Sequence, residues 1–241
     1  MISIIPVVGL PEIGEGDDLG ALIAEHAQLE DGDVVVVAQK VVSKAEGRVV
    51  ALGDVEASER ARELAGSWCD PRETEVILSE TKRIVRNRNS LVIAETEHGF
   101  VCASAGVDHS NAPGPNTLVL LPVDPDASAQ DIRDSIAAHG TSVAVLVTDS
   151  FGRPFRKGTT DVAIGVAGLD PLRDLRGTPD QRGIKLRSTQ VAFADELAAA
   201  ANLIRTSKAD GLPVVVVRGV SHEGDGSGQE LVMPPERDLF R

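Results

Sequence analysis

Short apolar runs rich in β-branched residues recur along the chain and predict a sheet. The predicted strands cover residues 2–8, 34–38, 91–94, 117–123, 143–147 and 214–217. Most of these runs are continuous rather than alternating, which is typical of strands that are buried on both faces. Amphipathic or alanine-rich segments lie between them. They predict helices over residues 17–28, 56–67, 128–139 and 193–207.

The order of these elements indicates a mixed α+β fold. Strands and helices alternate, but residues 72–89 and 154–189 show no regular period and are interpreted as irregular segments. A mixed sheet is therefore favoured over a regular doubly wound fold. We treat residues 1–241 as one domain, with a candidate hinge or subdomain boundary at residues 124–128, although Pro and Asp are also ordinary turn formers. Ser128 is expected to cap the helix that follows.

Composition narrows the class of protein. A chain of 241 residues with 42% hydrophobic residues is long and apolar enough to build a large globular core. The formal charge of −13 argues against nucleic acid or an anionic membrane as a partner. Cys69 and Cys102 show no metal-binding spacing and suit a reducing compartment. We find neither a membrane-spanning stretch nor the charged start of a signal peptide, and we expect a soluble cytoplasmic protein.

The segment T-D-S-F-G-R-P-F-R-K-G, residues 148–158, concentrates the candidate chemistry. Asp149 and Ser150 follow a predicted buried strand, and their oxygens suit a hard divalent cation. Arg153 and Arg156 follow in the same loop and suit a phosphate or a carboxylate. A metal-binding carboxylate beside cations is what phosphoryl transfer requires. The alternative is a solvated turn whose arginines pair with nearby acids.

Other loops at the ends of predicted strands carry similar groups. Residues 9–13, G-L-P-E-I, can offer backbone N–H groups to a nucleotide, and residues 39–44, Q-K-V-V-S-K, add an amide and two cations. Residues 105–114 bring an acid and an amide, and residues 219–229 combine acids with glycines. Each segment has a structural alternative, such as a plain loop, solvated lysines or an Asx-turn. Taken together, they favour one shared site.

These segments together resemble the F420 γ-glutamyl ligase family. The likeness runs from I-P-V-V-G-L-P-E-I through V-V-V-V-A-Q-K-V-V-S-K-A-E-G-R and A-G-V-D-H-S-N to R-G-V-S-H-E-G-D-G-S-G, and D-S-F-G-R-P-F-R-K-G is its most specific block. Members of that family join L-glutamate to the deazaflavin coenzyme F420-0, using GTP, Mn²⁺ or Mg²⁺, and K⁺. The resemblance implies an α+β homodimer with two intertwined subdomains and a site at the interface. Some relatives carry a further C-terminal, nitroreductase-like domain, which we expect to be missing here.

The resemblance also implies roles for individual residues. Those implied for GTP are Leu10, Pro11, Glu12, Ile13, Gln39, Lys44 and Asn111, and a final loop with Ser221, Glu223, Gly224, Asp225, Gly226 and Ser227. Those implied for metal ions are Asp108 and Asp149 for one ion, and Ser150 with Glu223 or Asp225 for a second. Gln39 and Ser150 depart from this pattern, since the family is expected to have Ser and Thr at these positions. Chemical reasoning alone assigns Arg153 and Arg156 as catalytic residues that stabilise a transferred phosphate or hold a substrate carboxylate.

The implied reaction begins when the lactyl carboxylate of F420-0 takes the γ-phosphate of GTP. The glutamate amine then attacks the resulting acyl phosphate and forms an amide, and later rounds can extend the tail through a γ-carboxylate. Two alternatives stay open. The same acids and arginines would serve a metal-dependent phosphohydrolase with water as acceptor, and a regulatory domain would bind the nucleotide without turning it over.

Overall fold

The computed structural model describes residues 1–205 and 211–239 and confirms a mixed α+β arrangement with several sheets. Its helices are α1 (Leu19–His26), α2 (Gln39–Ala45), α3 (Glu59–Ala65), α4 (Pro71–Ser79), α5 (Pro125–Ala138) and α6 (Phe193–Asn202). Its strands are β1 (Ser3–Pro6), β2 (Val34–Ala38), β3 (Val49–Ala51), β4 (Thr81–Arg88), β5 (Leu91–Thr96), β6 (Val101–Ala103), β7 (Thr117–Val119), β8 (Ala144–Gly152), β9 (Thr159–Ala167), β10 (Leu172–Asp174), β11 (Gln190–Ala192) and β12 (Val214–Arg218). Across these described ranges, no helix is both long and apolar enough to span a bilayer.

The central sheet positions the rest of the molecule. Within the described part of the chain, its strand order is β1-β12-β2-β8-β9. Only β2 and β8 run parallel to each other there; β12 and β9 run antiparallel to them. The C-terminal ends of β2 and β8 therefore lie side by side, next to the N-terminal ends of β12 and β9. We call this side of the sheet the carboxyl edge.

Helices cover both faces of the central sheet, which explains the continuous valine run of β2. Val35 packs on one face with Ile23 of α1 and Ile132 of α5. Val34 packs on the other face with Leu197 of α6. Because successive side chains of a strand point to opposite faces, a strand between two helical layers needs an apolar residue at every position. The prediction that this run is a doubly buried strand is confirmed.

The interpretation of residues 72–89 as irregular is wrong. Helix α4 and strand β4 occupy this segment, and β4 pairs with β5 in a smaller sheet with the order β4-β5-β6. The helix begins with Asp70 as its N-cap and Pro71 at its first position, a start signal that the sequence carries. The strand lacks an apolar period because it is largely exposed and its register shifts twice. A second small sheet pairs β3 with β7.

Residues 154–189 are not uniformly irregular either. The segment holds all of β9, which forms one edge of the central sheet, and β10, which pairs with β11. Gly165 interrupts the apolar run of β9, but the glycine has a packing reason. A Cβ at this position would lie 2.0 Å from the carbonyl oxygen of Pro125, where the first turn of α5 crosses the strand.

The start of α5 also differs from the prediction. Asp124 is the N-cap, and its side chain accepts a hydrogen bond from the backbone N–H of Ala127, with Pro125 at the first helical position. Ser128 is not the cap; its hydroxyl donates to Glu46 at 2.5 Å. Residues 124–128 thus begin a helix, and their role as a subdomain boundary stays a prediction. The last predicted helix ends at Asn202, and residues 206–207 of that prediction lie outside the described residues.

Candidate functional site

The carboxyl edge opens into a cavity of about 810 Å³. Its walls come from the loop after β1, the start of α2, the loop at residues 111–113, β8, β9 and the chain on either side of residues 206–210. The polar and charged residues that line it are Glu12, Gln39, Lys40, Lys44, Asn111, Thr148, Asp149, Ser150, Thr159, Asp161, Asn202 and Arg205. Segments far apart in sequence meet here because the parallel pair β2 and β8 ends at one edge.

The loop predicted to contact a nucleotide forms one wall of this cavity. Leu10, Pro11, Glu12 and Ile13 all line it. Ile13 is buried in the core and holds the loop against the body of the protein. Lys44 of α2 also lines the cavity, and its Nζ donates to Glu12 Oε1 at 2.5 Å. This contact joins the first predicted loop to α2.

Gln39 stands at the first position of α2, directly after β2 ends. Its side chain is 1% exposed, and its Oε1 accepts a hydrogen bond from the Ser43 hydroxyl at 2.8 Å. Among the described residues, its Nε2 has no hydrogen-bond partner, although this nitrogen is buried. A buried amide donor without a partner is costly in a folded protein. Gln39 therefore offers a hydrogen bond to whatever fills the cavity.

Asp108 reaches the site through Lys40 rather than by lining the cavity itself. Lys40 Nζ donates to Asp108 Oδ2 at 2.5 Å and also contacts the Ser110 hydroxyl. Ser110 donates its backbone N–H and its hydroxyl to the same carboxylate, which makes the expected Asx-type turn. Burial raises the pKa of Asp108, but the bonds from Lys40 and Ser110 outweigh it and hold the pKa well below its usual range. Asp108 is therefore a paired, ionised carboxylate.

Asp149 has the opposite electrostatic setting. Burial raises its pKa to about 6, and the negative charges of Asp108 and Asp161 add to the increase. A hydrogen bond from the Ser150 backbone and the charge of Lys40 lower the pKa only in part. Acidic side chains thus converge at the end of β8, and the excess of negative charge there is what a bound cation would relieve.

The chemistry of these donors fits a divalent metal ion. Asp149 and Ser150 present carboxylate and hydroxyl oxygens to the cavity, and hard cations prefer such ligands. Within the described residues, no group of three or more His, Cys, Asp or Glu side chains is arranged to hold a metal alone. Mg²⁺ at nucleotide sites is commonly held by one or two protein carboxylates, with phosphate oxygens and water completing its shell. The donor set therefore suits a metal that binds together with a phosphorylated ligand.

The sequence reasoning missed Asp161 and Arg205. Asp161 lies on β9 opposite Ser150, and its Oδ1 accepts a hydrogen bond from the Ser150 hydroxyl at 2.5 Å. Arg205 follows α6, and its Nη1 donates to Asp161 Oδ2 at 3.1 Å. The T-T-D-V-A-I-G block could have drawn attention to Asp161 as an acid in an apolar strand. No local pattern marks Arg205.

Arg153 and Arg156 do not line the cavity. They lie in the turn between β8 and β9, whose base at Gly152 and Thr159 adjoins the site. Arg153 is half-buried and donates from Nη2 to the carbonyl oxygen of Lys157 at 3.0 Å, whereas Arg156 is exposed. Their assignment as catalytic residues stays a prediction, and it requires a substrate that reaches beyond the cavity.

The final predicted loop, residues 221–229, lies at the opposite end of the central sheet. Strand β12 begins at the carboxyl edge and carries the chain about 16 Å away before this loop begins. None of Ser221, Glu223, Gly224, Asp225, Gly226 and Ser227 lines the cavity. A single chain therefore does not bring these predicted ligands to the site. The described residues that complete the wall instead are Arg205 and residues 211–213.

The 221–229 loop has structural contacts of its own. Asp225 Oδ1 accepts from the backbone N–H of Gly168 at 3.2 Å, and Ser227 donates to Asp126 at 2.6 Å. A Cβ at Gly224 would meet Asp170 Oδ1 at 1.9 Å, so glycine is needed there for close packing. These acids and glycines hold the loop against the β9–β10 connection.

Fold and site together define a mixed α+β protein with a polar ligand cavity at the carboxyl edge of its sheet. The family profile of the F420-0:gamma-glutamyl ligases matches residues 8–219 of this chain. The chain is 43% identical to the coenzyme F420:L-glutamate ligase of Methanothermobacter thermautotrophicus, covering 100% of this chain and 99% of that protein. It is 44% identical to the coenzyme F420:L-glutamate ligase of Methanopyrus kandleri, covering 100% and 98%, and 41% identical to that of Archaeoglobus fulgidus, covering 100% and 96%.

The chain therefore belongs to the F420-0:gamma-glutamyl ligase family. This finding confirms the family that the sequence motifs indicate. It also gives the cavity a chemical context, because part of the set that the resemblance assigns to the nucleotide or to metal lines it, whereas Asp108 and residues 221–227 do not. The lining members of that set are Leu10, Pro11, Glu12, Ile13, Gln39, Lys44, Asn111, Asp149 and Ser150.

Proposed function

We propose that this protein is a GTP-dependent ligase that joins L-glutamate to F420-0 and releases GDP and phosphate. One observation carries the proposal. Five residues from four separate segments line one cavity: Leu10, Gln39 and Lys44 of α2, Asn111 and Asp149. The resemblance assigns these five residues to GTP or metal, and their convergence supports a nucleotide site at the carboxyl edge.

The cavity walls suit a triphosphate. Lys40 and Lys44 place ammonium groups on the α2 side, and ammonium groups are effective point charges for phosphate oxygens. Gln39 adds its buried Nε2 as a donor without a partner in the described structure. We assign the loop at residues 10–13 to the edge of the nucleotide, and Arg205 with residues 211–213 to the last wall in place of residues 221–229.

The carboxylates suit the metal that the family implies, Mn²⁺ or Mg²⁺. Asp149 would hold one such ion, with Asp108 close behind through Lys40, and Ser150 would hold a second. When bound, such an ion neutralises phosphate charge and makes the γ-phosphorus more open to attack. The described contacts do not identify a site for K⁺, which stays an expectation from the family.

In the proposed reaction the lactyl carboxylate of F420-0 attacks the γ-phosphorus of GTP and displaces GDP. The glutamate nitrogen then attacks the acyl carbon, loses a proton and displaces phosphate, which leaves an amide. Lys40 and Lys44 would orient the phosphates, and burial would keep water from the acyl phosphate. Arg153 and Arg156, in the turn beside the cavity, would hold an acceptor carboxylate outside it. The number of glutamates added follows from how far a longer tail can extend there.

We also propose that the active form is a homodimer, as the family resemblance implies. A second chain would be needed if the loop at residues 221–229 meets nucleotide, since this loop lies at the far end of its own sheet. Size-exclusion chromatography with light scattering tests the dimer. Cross-linking from a cysteine placed at Ser221 tests whether the loop reaches the partner's cavity.

The direct test is to incubate the protein with F420-0, L-glutamate, GTP, Mn²⁺ and K⁺ and to follow products by mass spectrometry. We expect glutamyl-F420 to form only when GTP and glutamate are both present. The matched control is Asp149→Asn, which removes the proposed metal ligand and should abolish product. Phosphate release from GTP without glutamyl transfer would favour the phosphohydrolase alternative. Nucleotide binding with no turnover at all would favour a regulatory domain.

A further inference from the structure

Asp161 and Arg205 form a buried ion pair on the wall of the cavity, and the proposed reaction gives neither of them a chemical step. Asp161 is 4% exposed, and the side chain of Arg205 is 11% exposed. Removing a carboxylate from water is costly unless it is paired and hydrogen-bonded. Because burying this ion pair is costly, its position on the cavity wall suggests that the pair has a function beyond stabilising the fold.

Arg205 is fixed from several sides. Its Nη2 donates to the carbonyl oxygens of Val36 and Pro213, both at 3.0 Å, and its Nη1 donates to Asp161 Oδ2. The guanidinium thus ties β2 and the start of β12 to β9. A planar guanidinium held in this way keeps the Asp161 carboxylate in one orientation.

The other oxygen of Asp161 determines the orientation of the Ser150 hydroxyl. Ser150 and Asp161 are directly opposite each other in the β8–β9 ladder, and Ser150 Oγ donates to Asp161 Oδ1 at 2.5 Å. A hydroxyl has one proton and two lone pairs. Because the proton points to Asp161, the lone pairs of Ser150 Oγ point elsewhere, and within residues 1–205 and 211–239 no hydrogen bond to them is present, so they can accept a cation on the cavity side.

We propose that Asp161, held by Arg205, is a positioning residue that orients the Ser150 hydroxyl as a metal ligand. The inference rests on the proposed function, since it takes Ser150 as a ligand of a divalent ion. It also explains how a neutral serine can act as a metal ligand. The Asp161 carboxylate accepts the hydroxyl proton of Ser150 in a hydrogen bond, which turns that proton away from the metal and makes the serine oxygen a better electron-pair donor to the ion. Groups that orient metal ligands from behind typically change metal affinity about 10- to 100-fold when they are mutated.

The informative variant is Asp161→Asn. Arg205 donates only, so the new amide must turn its oxygen toward Arg205 and its NH₂ toward Ser150. The serine oxygen then accepts a hydrogen bond from the amide, and its own proton turns to the cavity side, where it repels a cation. Ser150→Ala removes the ligand itself. Asp195→Asn is the matched control, because Asp195 also bonds β9, through the Ala163 N–H at 2.9 Å, but does not line the cavity.

The test titrates Mn²⁺ against each purified variant in the presence of a saturating non-hydrolysable GTP analogue, because the site is expected to hold the metal together with phosphate oxygens. Bound Mn²⁺ is measured as the loss of the electron paramagnetic resonance signal relative to the analogue in buffer, and thermal unfolding is followed in parallel. We expect Asp161→Asn and Ser150→Ala each to weaken one Mn²⁺ site at least about 10-fold. Asp195→Asn should leave that site unchanged. In the Ser150→Ala background, Asp161→Asn should have no further effect, because both variants act through one oxygen.

Each other outcome would overturn the proposal in a distinguishable way. If Asp161→Asn binds Mn²⁺ as the wild type does, the pair is only structural, and the proposed metal site stands. If the effects of the two substitutions add, Asp161 acts on the metal independently of Ser150. If the wild type binds no Mn²⁺ up to millimolar concentration with the GTP analogue present, both this inference and the metal part of the proposed function fail.

Discussion

Lys44→Met provides a sharp test of the nucleotide site, because the structure separates its effect on binding from its effect on stability. The Lys44 side chain is 8% exposed, whereas its partner Glu12 is 78% exposed. A pair with one solvated partner contributes at most about 1 kcal/mol to folding. Methionine can replace the aliphatic stem of lysine, and Glu12 can turn to water once it loses its partner. The variant should therefore remain folded.

The expected loss in nucleotide affinity is larger. A hydrogen bond to a charged group contributes about 1.5–3 kcal/mol, and each 1.4 kcal/mol is a factor of ten. We therefore expect Lys44→Met to raise the Kd for GTP about 10- to 150-fold. The melting temperature should fall by no more than about 4 °C, since 1 kcal/mol shifts a domain of this size by about 2–4 °C.

The assay is isothermal titration calorimetry with GTP and Mg²⁺, with melting followed by circular dichroism. The matched control is Lys82→Met, because Lys82 lies on exposed β4 outside the cavity, 3.9 Å from Glu95. This control should bind GTP as the wild type does. Wild-type affinity in Lys44→Met would refute the assignment of Lys44 to the nucleotide. A fall of more than about 10 °C in the melting temperature of Lys44→Met would show that Lys44 is needed for folding as well as for binding, and would refute the argument that the variant stays folded.

Three further predictions follow from individual contacts. Gly165→Ala should lower stability by about 1–3 kcal/mol or more, measured by urea unfolding, because its Cβ would meet the Pro125 carbonyl oxygen at 2.0 Å. Burial raises the pKa of the Cys102 thiol to about 12 from 9.0, so at pH 8 Cys102 carries about 1,000-fold less thiolate than an ordinary thiol. Iodoacetamide should therefore label half-buried Cys69 in the native protein at pH 8 and leave Cys102 unmodified. Arg156→Ala should lower kcat/KM for F420-0 about 100-fold in the coupled ligase assay but leave the Kd for GTP unchanged.

These predictions have matched controls and clear counter-results. Gly152→Ala should be neutral within about 0.5 kcal/mol, because its added Cβ meets no atom within 4 Å. Equal costs at Gly152 and Gly165 would contradict the packing argument. Both cysteines should react in urea, and native labelling of Cys102 would contradict its burial. Unchanged kinetics in Arg156→Ala would remove this residue from the catalytic set.

Much of the central sheet could be predicted from sequence because strands buried on both faces consist of continuous apolar runs. The valines of β2 are apolar at every position, since helices cover both faces of the strand. Strand β4 could not be found in this way, because it is mostly exposed and needs no apolar period. Strand β9 was not predicted because Gly165 interrupts its apolar run. This glycine is required by close packing against Pro125, which is distant in sequence, and not by a local preference of the strand.

The site could be predicted only where its chemistry is local in the chain. Asp149 and Ser150 lie at the end of a recognisable strand, so their nature as candidate ligands was visible in sequence. Arg205 could not be recognised from the sequence, because its role depends on Asp161 and on backbone carbonyls from β2 and the start of β12. Residues 221–229 lie at the far end of the sheet in a single chain because β12 runs antiparallel to β2, a direction that the sequence does not indicate; their assignment to GTP stays a prediction.

The central claim is that the cavity at the carboxyl edge activates a carboxylate by phosphorylation with GTP. The most direct measurement uses F420-0 labelled with ¹⁸O in both oxygens of its lactyl carboxylate, and follows the label by mass spectrometry of the released phosphate. The account predicts one ¹⁸O atom in phosphate for each glutamyl bond formed. Glutamyl-F420 formed with unlabelled phosphate would contradict the account, because the carboxylate oxygen would then never have been bonded to phosphorus.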